Sequence, residues 1–447
     1  MSRHAISGFP EWLPDQRIVE AHVEDTLRET FELHGFQGLK TRSVEPLSAL
    51  ESKGETSKEV YLLRRLQGAR EGVGGTVDGN TLGLHFDLTV PLARYVVANS
   101  SNLVFPFKRY QIQSVWRGER PQEGRFREFT QADVDIVGQN TLGTHHDVEV
   151  AEAMLLALGN LGIGPVLMEV NNRALMQGLL QAAGVEDFDG ALRALDKLDK
   201  IGEDGVAEEL GALGLSEERT GLILAIAKIE AASGEDLRAQ VEALGLPLDD
   251  GARGGLDDLV EVLDSLNEVA PGEVQAALRI ARGLDYYTGT VFETTLPGFE
   301  SYGSICSGGR YDTLASAGNR VFPGVGLSVG VTRLAALILN AGLLAASRPS
   351  PSAVFVLVPS EEERSDANRV ARVLRSRGIA AEVSPTSAKF GRQIRQANRK
   401  GIPYVWFLDG DEHGVKNLVD GTQVPADLET WQPDEGLARI RVAKPTA

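Results

Sequence analysis

The chain has 447 residues, 42% apolar and 24% charged, with a formal net charge of −18. That length exceeds what one hydrophobic core usually supports, and the composition agrees with a multidomain soluble protein. No apolar run approaches a bilayer span, the start Met1-Ser2-Arg3-His4-Ala5 lacks a secretory apolar region, and the single cysteine, Cys306, excludes an intrachain disulfide, so no membrane and a cytoplasmic location are expected.

Val19, Val23, Leu27 and Phe31 recur at helical spacing and Gly35 can close the helix, which predicts a long amphipathic helix before a strand-like stretch from Phe36 to Arg42. Gly72-Val73-Gly74-Gly75 lacks the strand-to-helix context of a dinucleotide-binding turn and reads as a mobile loop.

From Phe107 to Gly138 two alternating runs flank the turn-rich Gly118 to Gly124, the pattern of a hairpin with a long loop. Successive side chains of a strand point to opposite faces. Arg109, Gln111, Gln113 and Arg117 therefore share one face of the first run, and Arg127, Phe129, Gln131, Asp133 and Asp135 share one face of the second. A solvated sheet face would explain an average alternating hairpin. Guanidinium groups, an aromatic ring, an amide and carboxylates together instead suit a ligand carrying phosphates, a flat base and an ammonium group.

A helix is expected from about Asp147 to Leu158, with His145-His146-Asp147 capping it and no metal, since no further ligands follow at a recognisable spacing. A strand follows near Val166 to Val170. Residues from about Gln181 to Ala270 are Leu- and Ala-rich and mostly helical, and their 22 acidic against 7 basic residues give a local charge of −15. This segment carries most of the acidic excess, which leaves basic patches elsewhere free to attract phosphates. Strands resume at Gly289 to Thr295, and Cys306 reads as a small packing residue beside the Gly308-Gly309 turn.

Ser347 to Ser352 is a linker by composition. Beyond it, strands at Ala353 to Val358, Ile379 to Val383 and Tyr404 to Leu408 alternate with helices at Arg364 to Arg377 and Ala388 to Lys400, which predicts a three-layer α/β domain with a largely parallel sheet. Lys389, Arg392, Arg395, Arg399 and Lys400 form its basic patch, either a solvated helix face or a nucleic-acid contact.

Four segments carry a family resemblance. Arg117-Gly118-Glu119 with Arg125 through Phe129 resembles motif 2 of class II aminoacyl-tRNA synthetases, and Gly324 through Leu334 resembles motif 3. Arg282 through Glu293 and Ser307 through Asp312 look like the two histidine-specific signatures of the histidyl-tRNA synthetase family, while the first long helix corresponds to the dimer-forming motif 1. Glycine clusters are individually weak signals, but four motifs in family order are strong. The resemblance implies an α/β fold in the broad sense, with an α+β catalytic core. It divides the chain into residues 1–180 (motifs 1 and 2), an acidic helical insertion at 181–270, residues 271–345 (both signatures and motif 3) and an anticodon-binding domain at 353–447.

It further implies ATP-dependent activation of L-histidine and its transfer to tRNA(His) by a homodimer, with Mg2+ accompanying ATP. Attack of a carboxylate on the α-phosphorus needs positioning and positive charge rather than a nucleophilic side chain. The resemblance places Arg117 and Arg282 at the α-phosphate, Arg125 and Arg333 at the outer phosphates, Glu119 at the adenine amino group and Phe129 against its ring. It assigns Asp87, Thr89 and Gln131 to the α-ammonium, and Asp135 and Tyr287 to the imidazole, with Tyr311 nearby. Gln122, Arg127, Lys389, Arg392 and Arg395 are expected to meet tRNA. Asp87 and Asp135 depart from the Glu common in bacterial members, so each must come closer or act through water. Two other readings exist: a non-catalytic relative serving as regulatory subunit of ATP phosphoribosyltransferase, which predicts damaged signatures and no anticodon domain, and an RNA-binding module without chemistry.

Overall fold

The apolar positions Val19, Val23, Leu27 and Phe31 fall on one fully buried stripe of helix α1 (Pro14–Leu33). Pro14 opens it, at the position where a missing N–H costs nothing. Gly35 ends it with φ of 77°, and the Phe36 amide returns to the Phe31 carbonyl, a helix stop that the glycine conformation permits. A computed structural model describes residues 6–51, 59–66, 77, 81–122, 124–280, 287–317, 319–409 and 412–445. Within these the chain divides into two units, Met1–Pro10 with Val23–Leu337, and Glu11–His22 with Ile338–Ala447.

The first unit is built on a nine-stranded sheet. In chain order its strands are β1 (Gln37–Gly38), β2 (Phe107–Trp116), β3 (Glu128–Val137), β4 (Leu167–Asn172), β5 (Glu230–Ala231), β6 (Val274–Ala277), β7 (Thr290–Thr295), β8 (Cys306–Ala317) and β9 (Arg320–Gly330). They lie in the order β1-β2-β3-β9-β8-β7-β4-β6-β5, antiparallel except at β1-β2 and β4-β6. The stretch expected as a strand from Phe36 to Arg42 contributes only the two residues of β1, its exposed Gln37 and Gly38 pairing with Arg109 and Tyr110 at the sheet edge.

Alternation sorts the two faces. On β8 the even residue Arg310 reaches Asp147 of helix α3 (His145–Asn160), whereas Tyr311 points the other way, to Asp135. Helix α3 lies on β9 and β3. Helix α2 (Thr89–Asn99) covers part of the opposite face, where Leu92 and Val96 pack with Phe107, Val137 and Phe322. The run His145-His146-Asp147 does not cap α3: Thr144 holds the N-cap position, its hydroxyl donating to Asp258 rather than capping the helix, and the buried Asp147 carboxylate accepts from Arg310 and Thr290. Burial pushes Asp147 up to about 6 against the Arg310 charge.

Between β4 and β6 the chain forms helices α4 (Arg173–Ala182), α5 (Phe188–Leu195), α6 (Leu198–Ala212), α7 (Glu217–Ala227), α8 (Gly234–Ala243) and α9 (Asp250–Val269). Asn172, Asp187, Ser216, Ser233 and Asp249 cap α4, α5, α7, α8 and α9 through their side chains, satisfying amides left free at each helix start. Helix α10 (Val331–Asn340) follows β9 directly.

The second unit carries a five-stranded sheet of β10 (Val354–Val356), β11 (Ala381–Val383), β12 (Tyr404–Asp409), β13 (Glu412–Asn417) and β14 (Gln423–Pro425), ordered β11-β10-β12-β13-β14. Its first three strands are parallel and the last two antiparallel. Helices α11 (Arg364–Ser376) and α12 (Phe390–Arg399) alternate with the parallel strands, and Val356, Val370, Leu374 and Trp406 share its core. Gly72 to Gly75 lie outside the described residues.

Candidate active site

On the face of the sheet opposite α3, a cleft of about 430 Å³ is bordered by the outer end of the hairpin, the start of α2, the Ser304 to Ser307 segment and the end of β9. Arg117 anchors its rim. The guanidinium donates through Nε to the Phe86 carbonyl (2.9 Å) and through Nη2 to Gln131 Oε1 (3.4 Å), and lies over the Phe129 ring at 5.0 Å from its centroid. Glu119 stands between two cations, 4.0 Å from Arg117 and 3.9 Å from Arg125. Arg333, on the first turn of α10, donates to the Gly124 carbonyl (2.7 Å) and the Ser304 carbonyl (2.8 Å), so motif 3 clasps the hairpin loop.

The cleft changes character inward. Asp87, Thr89, Gln131 and Tyr287 border it, and Asp87 accepts from the Val90 amide at the start of α2. Burial pushes Asp87 up to about 6 despite Arg117 and that amide. Gln131 donates to Ser328 Oγ (2.6 Å), whose hydroxyl donates to Asp133. Asp133 is pushed up to about 7 by burial, with Arg109 opposing the shift.

Asp135 and Tyr311 do not border the cleft; both are about 2% exposed beneath it. Asp135 Oδ2 lies 2.7 Å from Arg109 Nη2, and its Oδ1 accepts from the Tyr311 hydroxyl at 2.7 Å. Glycines make the room. A Cβ at Gly326 would fall 2.1 Å from Asp135 Oδ1, one at Gly324 would fall 2.4 Å from the Tyr311 ring, and one at Gly309 would fall 3.0 Å from the Tyr287 ring. The glycine clusters of motif 3 and the second signature thus seat functional side chains against backbone.

Gln122 bridges Arg125 through the backbone in the hairpin loop, and Arg127 Nε donates to the Glu119 carbonyl at 3.1 Å. Lys389, Arg392 and Arg395 are exposed at and along α12 of the second unit. Arg282 lies outside the described residues. Cys306 is buried at the start of β8 and borders the cleft. Ser307 and Ser328 lie inside the second signature and motif 3 but carry no role in the sequence reading, Ser304 lies outside every motif, and Arg109 has only its place on the polar face of the hairpin. For Arg109 a signal existed: folding the hairpin about residue 122 sets it opposite Asp135, the register found here.

The antiparallel sheet, its arginine-rimmed cleft and the separate α/β unit define the class implied by the motifs, the class II aminoacyl-tRNA synthetases. The family model described as histidyl-tRNA synthetase matches residues 8–334, and the model described as anticodon binding domain matches residues 353–424. A histidine–tRNA ligase of Micrococcus luteus is 53% identical over 97% of both chains, and one of Bifidobacterium animalis subsp. lactis is 51% identical over 98% of both. The crystal structure of histidyl-tRNA synthetase from Nostoc sp. PCC 7120 superposes with a TM-score of 0.83 at 32% identity, covering 95% of this chain and 97% of that one. The chain belongs to the histidyl-tRNA synthetase family. Membership implies ATP as a substrate.

Proposed function

We propose that the cleft condenses L-histidine with ATP to histidyl-adenylate and that the same chain transfers histidine to the 3′ end of tRNA(His). The carrying observation is the convergence on one cleft of Arg117, Arg125 and Arg333 at its rim, the Phe129 ring beside them, and Asp87, Gln131 and Tyr287 further in. In this reading the histidine carboxylate attacks the α-phosphorus and pyrophosphate leaves, with Arg117 and Arg282 holding the charge that develops there. Arg125 and Arg333 meet the outer phosphates, Glu119 the adenine amino group and Phe129 the ring.

Asp87, Thr89 and Gln131 receive the α-ammonium. Asp135, with Tyr311 and Tyr287, supplies partners for the two imidazole nitrogens. Mg2+ enters with the nucleotide, held chiefly by phosphate oxygens; no group of three or more metal-ligating side chains occurs among the described residues. Gln122, Arg127, Lys389, Arg392 and Arg395 contact tRNA, the working unit is a homodimer, and the chain divides functionally at 1–180, 181–270, 271–345 and 353–447. Among the described residues no helix is long and apolar enough to cross a membrane, and we place the activity in the cytoplasm.

The match of residues 353–424 to an anticodon-binding domain disfavours the regulatory-subunit reading, which has no use for one. Histidine-dependent exchange of pyrophosphate into ATP, followed by charging of tRNA(His), tests the proposal. Absence of exchange by a folded protein would return the chain to the non-catalytic reading.

A further inference from the structure

Arg109 is fully buried on β2, and none of its three guanidinium nitrogens makes a hydrogen bond among the described residues, so its contact with Asp135 is an ion pair. Removing a guanidinium from water is costly unless an opposite charge beside it compensates. Its nearest partner is Asp135, directly across the β2–β3 ladder with Nη2 to Oδ2 at 2.7 Å. The other oxygen of that carboxylate accepts the Tyr311 hydroxyl at 2.7 Å.

A hydroxyl has one hydrogen to donate and two acceptor lone pairs, and an ionised carboxylate accepts only. Once Tyr311 has donated to Asp135, neither group has a hydrogen left for a ligand. Both lie just beneath the cleft, so a ligand side chain that reaches them from it meets acceptors only, and its complement is an N–H donor. Were Asp135 protonated, it could donate to Tyr311 instead, and the phenol could turn its hydrogen towards the ligand.

We propose that Arg109 is a positioning residue for amino-acid selection: its charge keeps Asp135 a carboxylate, which fixes Tyr311 as donor to Asp135 and makes this end of the site specific for an imidazole N–H. The inference rests on the function proposed above and adds to it the residue that sets the polarity of recognition. Other ionisable groups around the pair are Asp133 on the same strand, Tyr287 beside Tyr311, and Asp87 with Arg117 towards α2. Arg109 opposes the upward shift of all three carboxyls, and Asp133, bonded to Ser328, is the one pushed up to about 7. One guanidinium cannot hold three buried acids ionised. Its closest contact selects Asp135.

The test is binding of histidine and of thiazolylalanine, an isostere without a ring N–H, to the full chain between pH 6 and 8, with ATP binding measured alongside. In the wild type histidine should bind far better than the isostere. Arg109→Met should weaken histidine by about 10–100-fold, the scale of a lost charge-assisted hydrogen bond, and should shrink its advantage over the isostere while ATP affinity holds. With the guanidinium gone, only the Tyr311 hydrogen bond still opposes the burial that raises Asp135, so its carboxyl shifts further up and the loss should be larger at pH 6 than at pH 8.

In an Asp135→Asn background the same Arg109→Met change should cost nothing more. That pair also serves if Arg109→Met alone fails to fold, since the double variant removes both charges. An unchanged preference for histidine in folded Arg109→Met, an equal loss of ATP binding, or a further loss in the Asp135→Asn background would each overturn the proposal. A wild type that binds no histidine would instead overturn the functional reading itself.

Discussion

At its outer end the β2–β3 hairpin presents Arg117, Phe129 and Gln131 to an open cleft; further along the same two strands, on the same face, Arg109, Asp133 and Asp135 are sealed. Both ends obey one alternation of side chains. They differ in what lies above them, solvent at one and the packing of α2 with Phe107, Val137 and Phe322 towards the other. Charges at the open end remain solvated and available to a polyanion. Those at the sealed end must be paired or neutralised, so they act by fixing hydrogen-bond polarity rather than by attracting a ligand over distance. One strand pair thereby combines a phosphate site with a side-chain filter.

The comparison breaks first at Arg117. Arg117→Ala should slow adenylate formation by about 10²–10³-fold, the scale for one preorganised electrostatic donor. Equilibrium histidine binding should change much less. Single-turnover kinetics on the purified variant would show it, and a near-normal chemical step would move Arg117 from the reaction to mere bracing of the Phe86 carbonyl.

At the sealed end the effect is smaller and of another kind. Asp135→Asn should lower histidine affinity by about 10–100-fold while leaving ATP affinity intact, as separate calorimetric titrations would register. A parallel drop for both ligands with a lowered melting temperature would make Asp135 a strand support and erase the functional distinction between the two ends.

The same contrast measures how much was legible in the chain. Helical spacing from Val19 to Phe31 predicted α1, and alternation put Arg109, Gln111, Gln113 and Arg117 on one face of the first run and Phe129, Gln131, Asp133 and Asp135 on one face of the second, because both periodicities are local. Depth is not local. It arises where α2 packs over the sheet and where β9 and β8 extend it beside the hairpin, which is why Arg109 and Asp133 carried no more signal than Arg117. The seating glycines show the same limit: Gly324 and Gly326 read as turn or packing residues until Tyr311 and Asp135, far away in sequence, arrive against them. In the second unit the parallel strands were legible from their alternation with helices. The short β13 and β14, with exposed positions and no apolar run, were not.

Asp87 lies between the two ends and should show a mixed response. Its carboxyl is pushed up to about 6 by burial, and only the ionised form attracts an α-ammonium. The folded pKa lies above the ordinary carboxylate range, so its contribution to histidine binding is present above pH 6 and lost as pH falls through it, by about tenfold per unit further down. The ligand imidazole titrates nearby, so the informative quantity is the difference in pH slope between wild type and Asp87→Asn. Equal slopes would remove Asp87 from the ammonium site.

The smallest effect on the cleft is expected from the second unit, whose basic side chains on α12 are exposed and line no part of the cleft. Lys389, Arg392 and Arg395 are exposed at and along α12, a helix whose buried side is carried by Gln393 and Ala397. Nothing in that arrangement orients a hydrogen bond as Arg109 does; the basic side chains offer phosphate contacts through long, mobile stems. Replacing all three by Ala should leave pyrophosphate exchange unchanged, since motifs 2 and 3 and both signatures lie in the first unit. It should lower tRNA affinity and reduce the magnitude of its log–log salt slope by about 2–3, roughly 0.7–0.9 for each lost phosphate contact. Filter binding across a salt series with the full chain reads that slope. A slope identical to wild type would show that α12 presents only a solvated face, and would shift tRNA recognition to the hairpin loop at Gln122 and Arg127.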